Sequence, residues 1–117
     1  MKRILLAVVT LILISGCHKE TQNACDSKKP MEDVGWLKDM QKSMTNCACE
    51  TSIIQGTYLN QTVFFIANTD PLCDGIDMPT LFDCNGKAIK SFTESDYRDF
   101  YEKVTRDNVL YRCKTVK

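Results

Sequence analysis

The chain has 117 residues, and its 15 basic and 15 acidic side chains balance to a formal net charge of zero at pH 7. This length fits one small domain. Because no basic surplus is present to neutralise a phosphate backbone, the composition argues against nucleic-acid binding as a main role.

The first 17 residues are organised like an export signal. Lys2 and Arg3 precede an apolar run from Ile4 to Ile14, and Ser15-Gly16-Cys17 follows. A helix of that run is only about 16 Å long, roughly half the hydrocarbon core of a bilayer, so a cleavable signal is favoured over a membrane span. The order resembles a bacterial lipoprotein signal, in which a peptidase cuts just before a cysteine that carries a diacylglyceryl group.

The resemblance implies that Cys17 is lipidated and anchors the protein in the cell envelope. Two or three acyl chains on one residue give stable anchoring where one chain does not. His18 stands where an aspartate would resemble an inner-membrane retention signal, so the outer membrane is favoured if the cell has one. The alternative is a plain secretory signal with an incidental cysteine.

These features divide the chain into three parts: a lipoprotein signal peptide over residues 1–16, a lipid anchor with a polar, flexible tether over residues 17–30, and a single domain over residues 31–117. Removal of the signal leaves 101 residues with 13 basic and 15 acidic side chains. A domain of this size has a small core, so covalent crosslinks would contribute much of its stability.

Cysteines supply such crosslinks. Apart from Cys17 the chain has six, namely Cys25, Cys47, Cys49, Cys73, Cys84 and Cys113. An even number in a small exported domain predicts three disulfides. Cys47 and Cys49 are too close for an easy mutual bond, so we expect different partners for them. We expect Cys25 or Cys113 to tie a terminus to this segment, and Cys73 to bond near Cys84.

The first half of the domain contains a predicted helix and a predicted hairpin. Apolar residues at helical spacing predict a helix from Met31 to about Asn46. Its apolar stripe consists of Trp36, Leu37, Met40 and Met44. Branched and aromatic residues predict strands over Thr51–Leu59 and Thr62–Asn68, with the reversal at Asn60-Gln61. Because Val63–Ala67 is apolar on both faces, the second strand is expected to be central.

A second hairpin and a second helix follow. Asn85-Gly86 predicts a tight type I′ turn between strands Leu81–Cys84 and Lys87–Lys90. Thr93 and Asp96 approximate a capping box, and Phe92 is expected to pack against the first helical turn at Tyr97. The core-facing stripe of this helix consists of Tyr97, Phe100, Tyr101 and Val104. Alternation at Val109, Tyr111 and Cys113 indicates a short last strand.

This order of elements predicts an α+β domain: a small antiparallel sheet of about four strands, two helices packed on one face, and stabilising disulfides. The domain is also similar to small uncharacterised envelope lipoproteins. The similarity is carried by Trp36-Leu37, by Tyr58 to Val63 and by Leu81 to Gly86. It implies no particular activity.

The segment from Asn68 to Pro79 is the least regular part of the domain. Its carboxylates at Asp70, Asp74 and Asp77 are possible calcium ligands, although their spacing differs from that of an EF-hand. A loop held by Cys73 and bounded by prolines is also pre-organised for binding a partner. In a protease cleft, the same loop would act as an inhibitor.

Catalysis has little support in the sequence. The only histidine is His18, so a Ser-His or Cys-His pair within the domain is excluded, and a zinc site of Cys and His is disfavoured. The acidic residues Glu94, Asp96 and Asp99 are better explained by capping of a helix. We therefore expect a lipid-anchored envelope binding module of unknown ligand, without catalysis or a cofactor. The alternatives are a protease-inhibitor-like module and a calcium-stabilised structural domain.

Overall fold

The computed structural model describes residues 22–73 and 75–114. The predicted signal peptide, the predicted lipidation site Cys17 and the candidate ligand Asp74 lie outside the described residues. Within these two ranges, no helix is both long and apolar enough to cross a membrane.

A five-stranded antiparallel sheet forms the centre of the fold. Its strands are β1 (Thr51–Tyr58), β2 (Gln61–Asn68), β3 (Thr80–Phe82), β4 (Ala88–Ser91) and β5 (Thr105–Cys113). They lie in the order β4-β3-β2-β1-β5, so β2 is central, as its apolar sequence predicted. The α+β class is confirmed, but the sheet has one strand more than the predicted four. The first five residues of the edge strand β5 are exposed. Because most of them are polar, the sequence predicted only a short strand at the end of β5.

The helical elements are a 3₁₀ helix (Ala24–Asp26), α1 (Pro30–Asp33), α2 (Gly35–Ser43) and α3 (Tyr97–Lys103). The single helix predicted from Met31 to Asn46 is therefore divided in two. The break falls at Val34, which has an extended backbone (φ −104°, ψ 113°) and a fully buried side chain. Gly35, which has low helix propensity, then begins α2.

The helices cover opposite faces of the sheet. On one face Phe64 packs with Leu37 of α2, and on the other Phe65 packs with Phe100 of α3. We call these the α2 face and the α3 face. The prediction that both helices share one face is wrong, because consecutive strand residues point to opposite faces and β2 is apolar on both.

The segment from Gln22 to Pro30 packs on the α2 face, although it was predicted to be part of the tether. Ala24 is buried in the α2-face cluster, and its N–H donates to the carbonyl of Cys84 at 2.7 Å. The indole Nε1 of Trp36 donates to the carbonyl of Gln22 at 2.8 Å. Residues from 22 onward thus belong to the fold, because a small apolar residue and a disulfide beside it fix this otherwise polar segment.

Three disulfides connect the elements: Cys25–Cys84, Cys47–Cys113 and Cys49–Cys73, with Cα–Cα distances of 5.3, 5.7 and 6.1 Å. Cys47 and Cys49 have different partners, and Cys113 ties the last strand to this segment, in agreement with the prediction. The expected bond of Cys73 near Cys84 is wrong. Cys73 lies beside the start of β1, because Thr51 pairs with Asn68, whereas Cys84 follows the far end of β3.

The turn of the first hairpin lies one residue earlier than predicted. Tyr58 pairs with Gln61, so Leu59 and Asn60 form the turn. Both have positive φ, 49° and 61°, as a type I′ turn requires. Sequence reasoning passed over Leu59 because a leucine rarely adopts this conformation.

The second hairpin has a longer loop than the predicted type I′ turn. Of its two turn residues only Gly86 has positive φ, at 82°. The carboxylate of Asp83 accepts the N–H groups of Asn85 and Lys87 at 2.9 and 3.0 Å, and the carbonyl of Asp83 accepts the N–H of Gly86. The loop therefore consists of three residues, Cys84, Asn85 and Gly86. Hairpin loops of this length typically end in a residue of positive φ, which here is Gly86.

Helix α3 begins later than the capping box predicted. The Asp96 carboxylate accepts from the N–H and hydroxyl of Thr93, and the helix starts at Tyr97. Phe92 does not staple to Tyr97 as expected. Its ring packs instead against Phe100, with centroids 5.5 Å apart, because the chain enters the core of the α3 face here.

Candidate interaction loop

Residues 68–79 lead from the end of β2 to β3, and their described residues after Asn68 form neither helix nor strand. We call them the 68–79 loop. Its first half is fixed by the disulfide from Cys73 to Cys49, which precedes β1. The N–H of Cys73 donates to the carbonyl of Asp70 at 3.2 Å, which closes a turn. The side-chain amide of Asn68 then donates to the carbonyl of Cys73 at 3.1 Å.

Asp70 serves this half of the loop as a hydrogen-bond acceptor. One carboxylate oxygen accepts the N–H of Leu72 at 3.0 Å, and the other accepts the N–H of Glu50 at 3.2 Å. These two backbone hydrogen bonds lower the pKa of Asp70. The Glu50 carboxylate in turn bonds to Arg112 at 2.6 Å, and this contact lowers the pKa of Glu50. Asp70 is therefore committed to holding the backbone in place.

Asp77 fixes the second half of the loop to the α3 face. Its N–H donates to the hydroxyl of Tyr101 on α3 at 2.8 Å. Its carboxylate accepts the N–H of Asn68 at 3.0 Å and pairs with the guanidinium of Arg106 at 3.3 Å. That guanidinium lies 5.7 Å from the ring centroid of Phe100, so the loop, β5 and α3 are joined through one side chain.

Of the three predicted calcium ligands, Asp70 and Asp77 lie in the described part of the chain. Asp70 and Asp77 bond to different backbone groups, and one group of three potential ligands comes together there, namely Cys49, Asp70 and Cys73. The two cysteines of that group form a disulfide, so neither offers a thiolate. Since Ca²⁺ takes six to eight oxygen ligands, this arrangement does not support a calcium site.

The loop directs apolar side chains into solvent. Leu72 is 91% exposed, Ile76 57% and Met78 48%, and we call these three the apolar loop residues. The three lie within seven residues of one another in the sequence, and exposed apolar side chains that form one patch mark interaction sites, whereas scattered single ones do not. Sequence reasoning had singled out the carboxylates of the loop instead. The missed signal is the presence of three large apolar residues in a segment that has neither helix nor strand periodicity.

A groove of about 270 Å³ lies between α1 and β5. It is lined by Lys29, Pro30, Met31, Glu32, Val109 and Leu110. Its two charged side chains, Lys29 and Glu32, pair with each other at 3.8 Å and are largely exposed. The two charged side chains that line the groove therefore bind each other, and the remaining lining is apolar.

The acidic residues near α3 take part in local contacts. Asp96 pairs with Lys90 at 2.9 Å, and Asp99 pairs with Lys103 at 3.6 Å. The Thr93 N–H, followed by the Lys90 ammonium, lowers the pKa of Asp96 to about 2. Such a carboxylate is ionised at neutral pH and is poorly matched to general acid catalysis.

Comparisons of this chain with protein-family models, with curated proteins and with solved structures gave no match. The arguments for function therefore rest on its own residues. The most informative of these are the fixed loop backbone and the exposed apolar loop residues.

Proposed function

We propose that this protein is a lipid-anchored binding module of the bacterial cell envelope, and that it contacts its partner through the 68–79 loop. One observation carries the proposal: Leu72, Ile76 and Met78 are exposed on a loop whose backbone is held on both sides of position 74, at Cys73 and at Asp77. A disulfide and hydrogen bonds from α3 and the sheet hold that backbone.

Such a loop is energetically suited to binding. Full burial of a Leu, Ile or Met side chain contributes about 1.5–3 kcal/mol, and the free protein leaves these three in water. Since the loop is already held at Cys73 and at Asp77, less conformational entropy is lost when a partner binds than for a loop without these contacts. A small group of anchoring side chains supplies most of the energy of a typical interface.

The anchoring part of the proposal rests on Ser15-Gly16-Cys17 after the apolar run. Three disulfides among the six remaining cysteines suit an oxidising compartment outside the cytoplasm. We place the protein on the outer membrane in cells that have one. Mass spectrometry of the membrane-extracted protein tests the anchor: acyl chains on a chain that begins at Cys17 are expected, and an unlipidated chain would contradict it.

A pair of triple variants tests the role of the loop. The loop variant carries Leu72→Ser, Ile76→Ser and Met78→Ser, and the control carries the same change at Leu59, Ile89 and Val109. The control residues are also exposed but lie on other elements. Proteins crosslinked in intact cells and purified with each variant are quantified against wild type. We expect a specific partner to be lost from the loop variant and retained by the control; equal recovery from both would contradict the proposal.

A protease-inhibitor-like role is a second candidate. It is favoured by the projection of Leu72, 91% exposed, beside the disulfide-bonded Cys73. Inhibition of a protease that cleaves after leucine is expected to be lost in Leu72→Gly, a change that leaves the disulfide intact. Rapid cleavage of the wild-type loop without inhibition would eliminate this candidate.

A further inference from the structure

The 68–79 loop and the N-terminal end of the fold lie on opposite faces of the sheet. The loop is bonded through Asp77 to Tyr101 and Arg106 on the α3 face. The N-terminal segment packs on the α2 face, where Ala24 is buried and Trp36 bonds to the carbonyl of Gln22. The chain therefore arrives from the anchor on the side of the domain that faces away from the loop.

The connection between the anchor and the fold is short. Cys17 precedes Gln22 by five residues, which span at most about 18 Å even when fully extended. The domain has three layers, helix, sheet and helix, with about 10 Å between neighbouring layers and roughly 30 Å between its outer surfaces. An 18 Å connection from the α2 face is too short to let the domain turn over and place the α3 face on the bilayer.

The charge of the loop also disfavours a lipid surface. Between positions 68 and 79 the sequence has three aspartates and neither lysine nor arginine. Segments that insert into the interface of anionic membranes combine apolar residues with lysine and arginine, since the basic groups are attracted to the lipid headgroups. An acidic loop is repelled by the same headgroups.

We infer that the apolar loop residues bind another protein on the side of the domain away from the bilayer, and that they do not insert into lipid. This inference rests on the proposed anchoring at Cys17. The occupant is a protein with an apolar surface complementary to Leu72, Ile76 and Met78, located in the aqueous compartment that the α3 face contacts. The position and the charge of the loop disfavour the bilayer as its occupant.

Lipid quenching in proteoliposomes tests the inference with the full, lipidated chain. A fluorescent amino acid replaces either Leu72 or Gln22 in otherwise wild-type protein, in vesicles of neutral and anionic phospholipids with nitroxide-labelled headgroups. Both side chains are exposed, and substitution at Gln22 leaves its backbone carbonyl available to Trp36. We expect the probe at position 22 to be quenched several times more strongly than the probe at position 72.

The outcomes separate the inference from the anchoring on which it depends. Equal, strong quenching at both positions would show anchoring but overturn the inference, because the loop would lie on the bilayer. Weak quenching at both positions, together with failure to float with the vesicles, would overturn the anchoring and the inference with it. As a further test, the triple loop variant is expected to keep the wild-type affinity for vesicles; a weaker affinity would show that the apolar loop residues insert.

Discussion

Two segments outside the sheet, residues 22–43 on the α2 face and the 68–79 loop on the α3 face, place their apolar side chains in opposite environments. In the first segment, residues 22–43, the side chains of Val34 and Leu37 point inward and are fully buried. On the α3 face, the 68–79 loop turns its apolar residues outward. Each segment is crosslinked by one disulfide, Cys25–Cys84 or Cys49–Cys73. The first segment is held mainly by apolar burial and the second by polar contacts, which leaves the apolar loop residues free to meet a partner.

The largest difference between the faces is expected from two matched leucine substitutions. Leu37→Ala removes a fully buried side chain and is expected to lower the free energy of unfolding by about 2–5 kcal/mol. Leu72→Ala changes a side chain already in water and is expected to alter it by less than about 0.5 kcal/mol. Denaturant unfolding measures both. A comparable loss from Leu72→Ala would show that the loop side chain belongs to the core.

Removal of one disulfide at a time is expected to have the next largest effect. The double variants Cys49→Ser/Cys73→Ser and Cys25→Ser/Cys84→Ser are each expected to lose about 2–4 kcal/mol of stability. The two double variants are expected to differ in where local order is lost. Amide hydrogen exchange is expected to accelerate throughout the 68–79 loop in the first variant, whereas Ala24 and its neighbours should stay protected in the second. Unchanged protection of the loop in the first variant would contradict the role assigned to Cys49–Cys73.

The core of this fold was predictable because it follows periodicity. Strand β2 has apolar residues on both faces and is central, and the stripe of α3 contains the buried Phe100. The two helices were wrongly assigned to one face, because periodicity shows that a residue is buried but not against which layer. Strand β5 was underestimated because an edge strand tolerates polar residues such as Arg106 and Asp107.

The candidate site was harder to predict than the core. The sequence predicted that the 68–79 loop is a binding segment, but it pointed to the carboxylates rather than to the apolar residues. Asp70 and Asp77 look like metal ligands in the sequence, and only the structure shows that backbone N–H groups use their oxygens. Whether a loop residue such as Leu72 turns outward depends on long-range contacts, here with Cys49 and α3, which local patterns do not encode.

A smaller effect is expected at Leu59, the exposed leucine that best contrasts with Leu72. Leu59 is 73% exposed because it occupies a turn at φ 49°, a conformation that strains a leucine. Leu59→Gly relieves this strain, and thermal unfolding is expected to show a gain of up to about 1 kcal/mol, with partner binding unchanged. Destabilisation by this substitution would contradict the assigned turn.

The smallest effect is expected from Asp96, which accepts from Thr93 and Lys90 just before α3 begins. Its pKa is lowered to about 2 in the folded protein, so its contribution to stability is complete above about pH 4 and disappears as the pH falls through about 2. The stability of wild type relative to Asp96→Asn is therefore expected to decrease over this range in denaturant titrations. A difference that does not change with pH would show that folding does not lower the pKa of Asp96.

Site-specific photo-crosslinking in intact cells tests the central claim most directly. A light-activated amino acid replaces Leu72 in one chain and Gln22 in another, and the adducts of each are identified. We expect a protein adduct at position 72, lost when Ile76→Ser and Met78→Ser are added, and lipid adducts at position 22. Lipid adducts at position 72, or a protein adduct that persists in the Ile76→Ser/Met78→Ser chain, would contradict it.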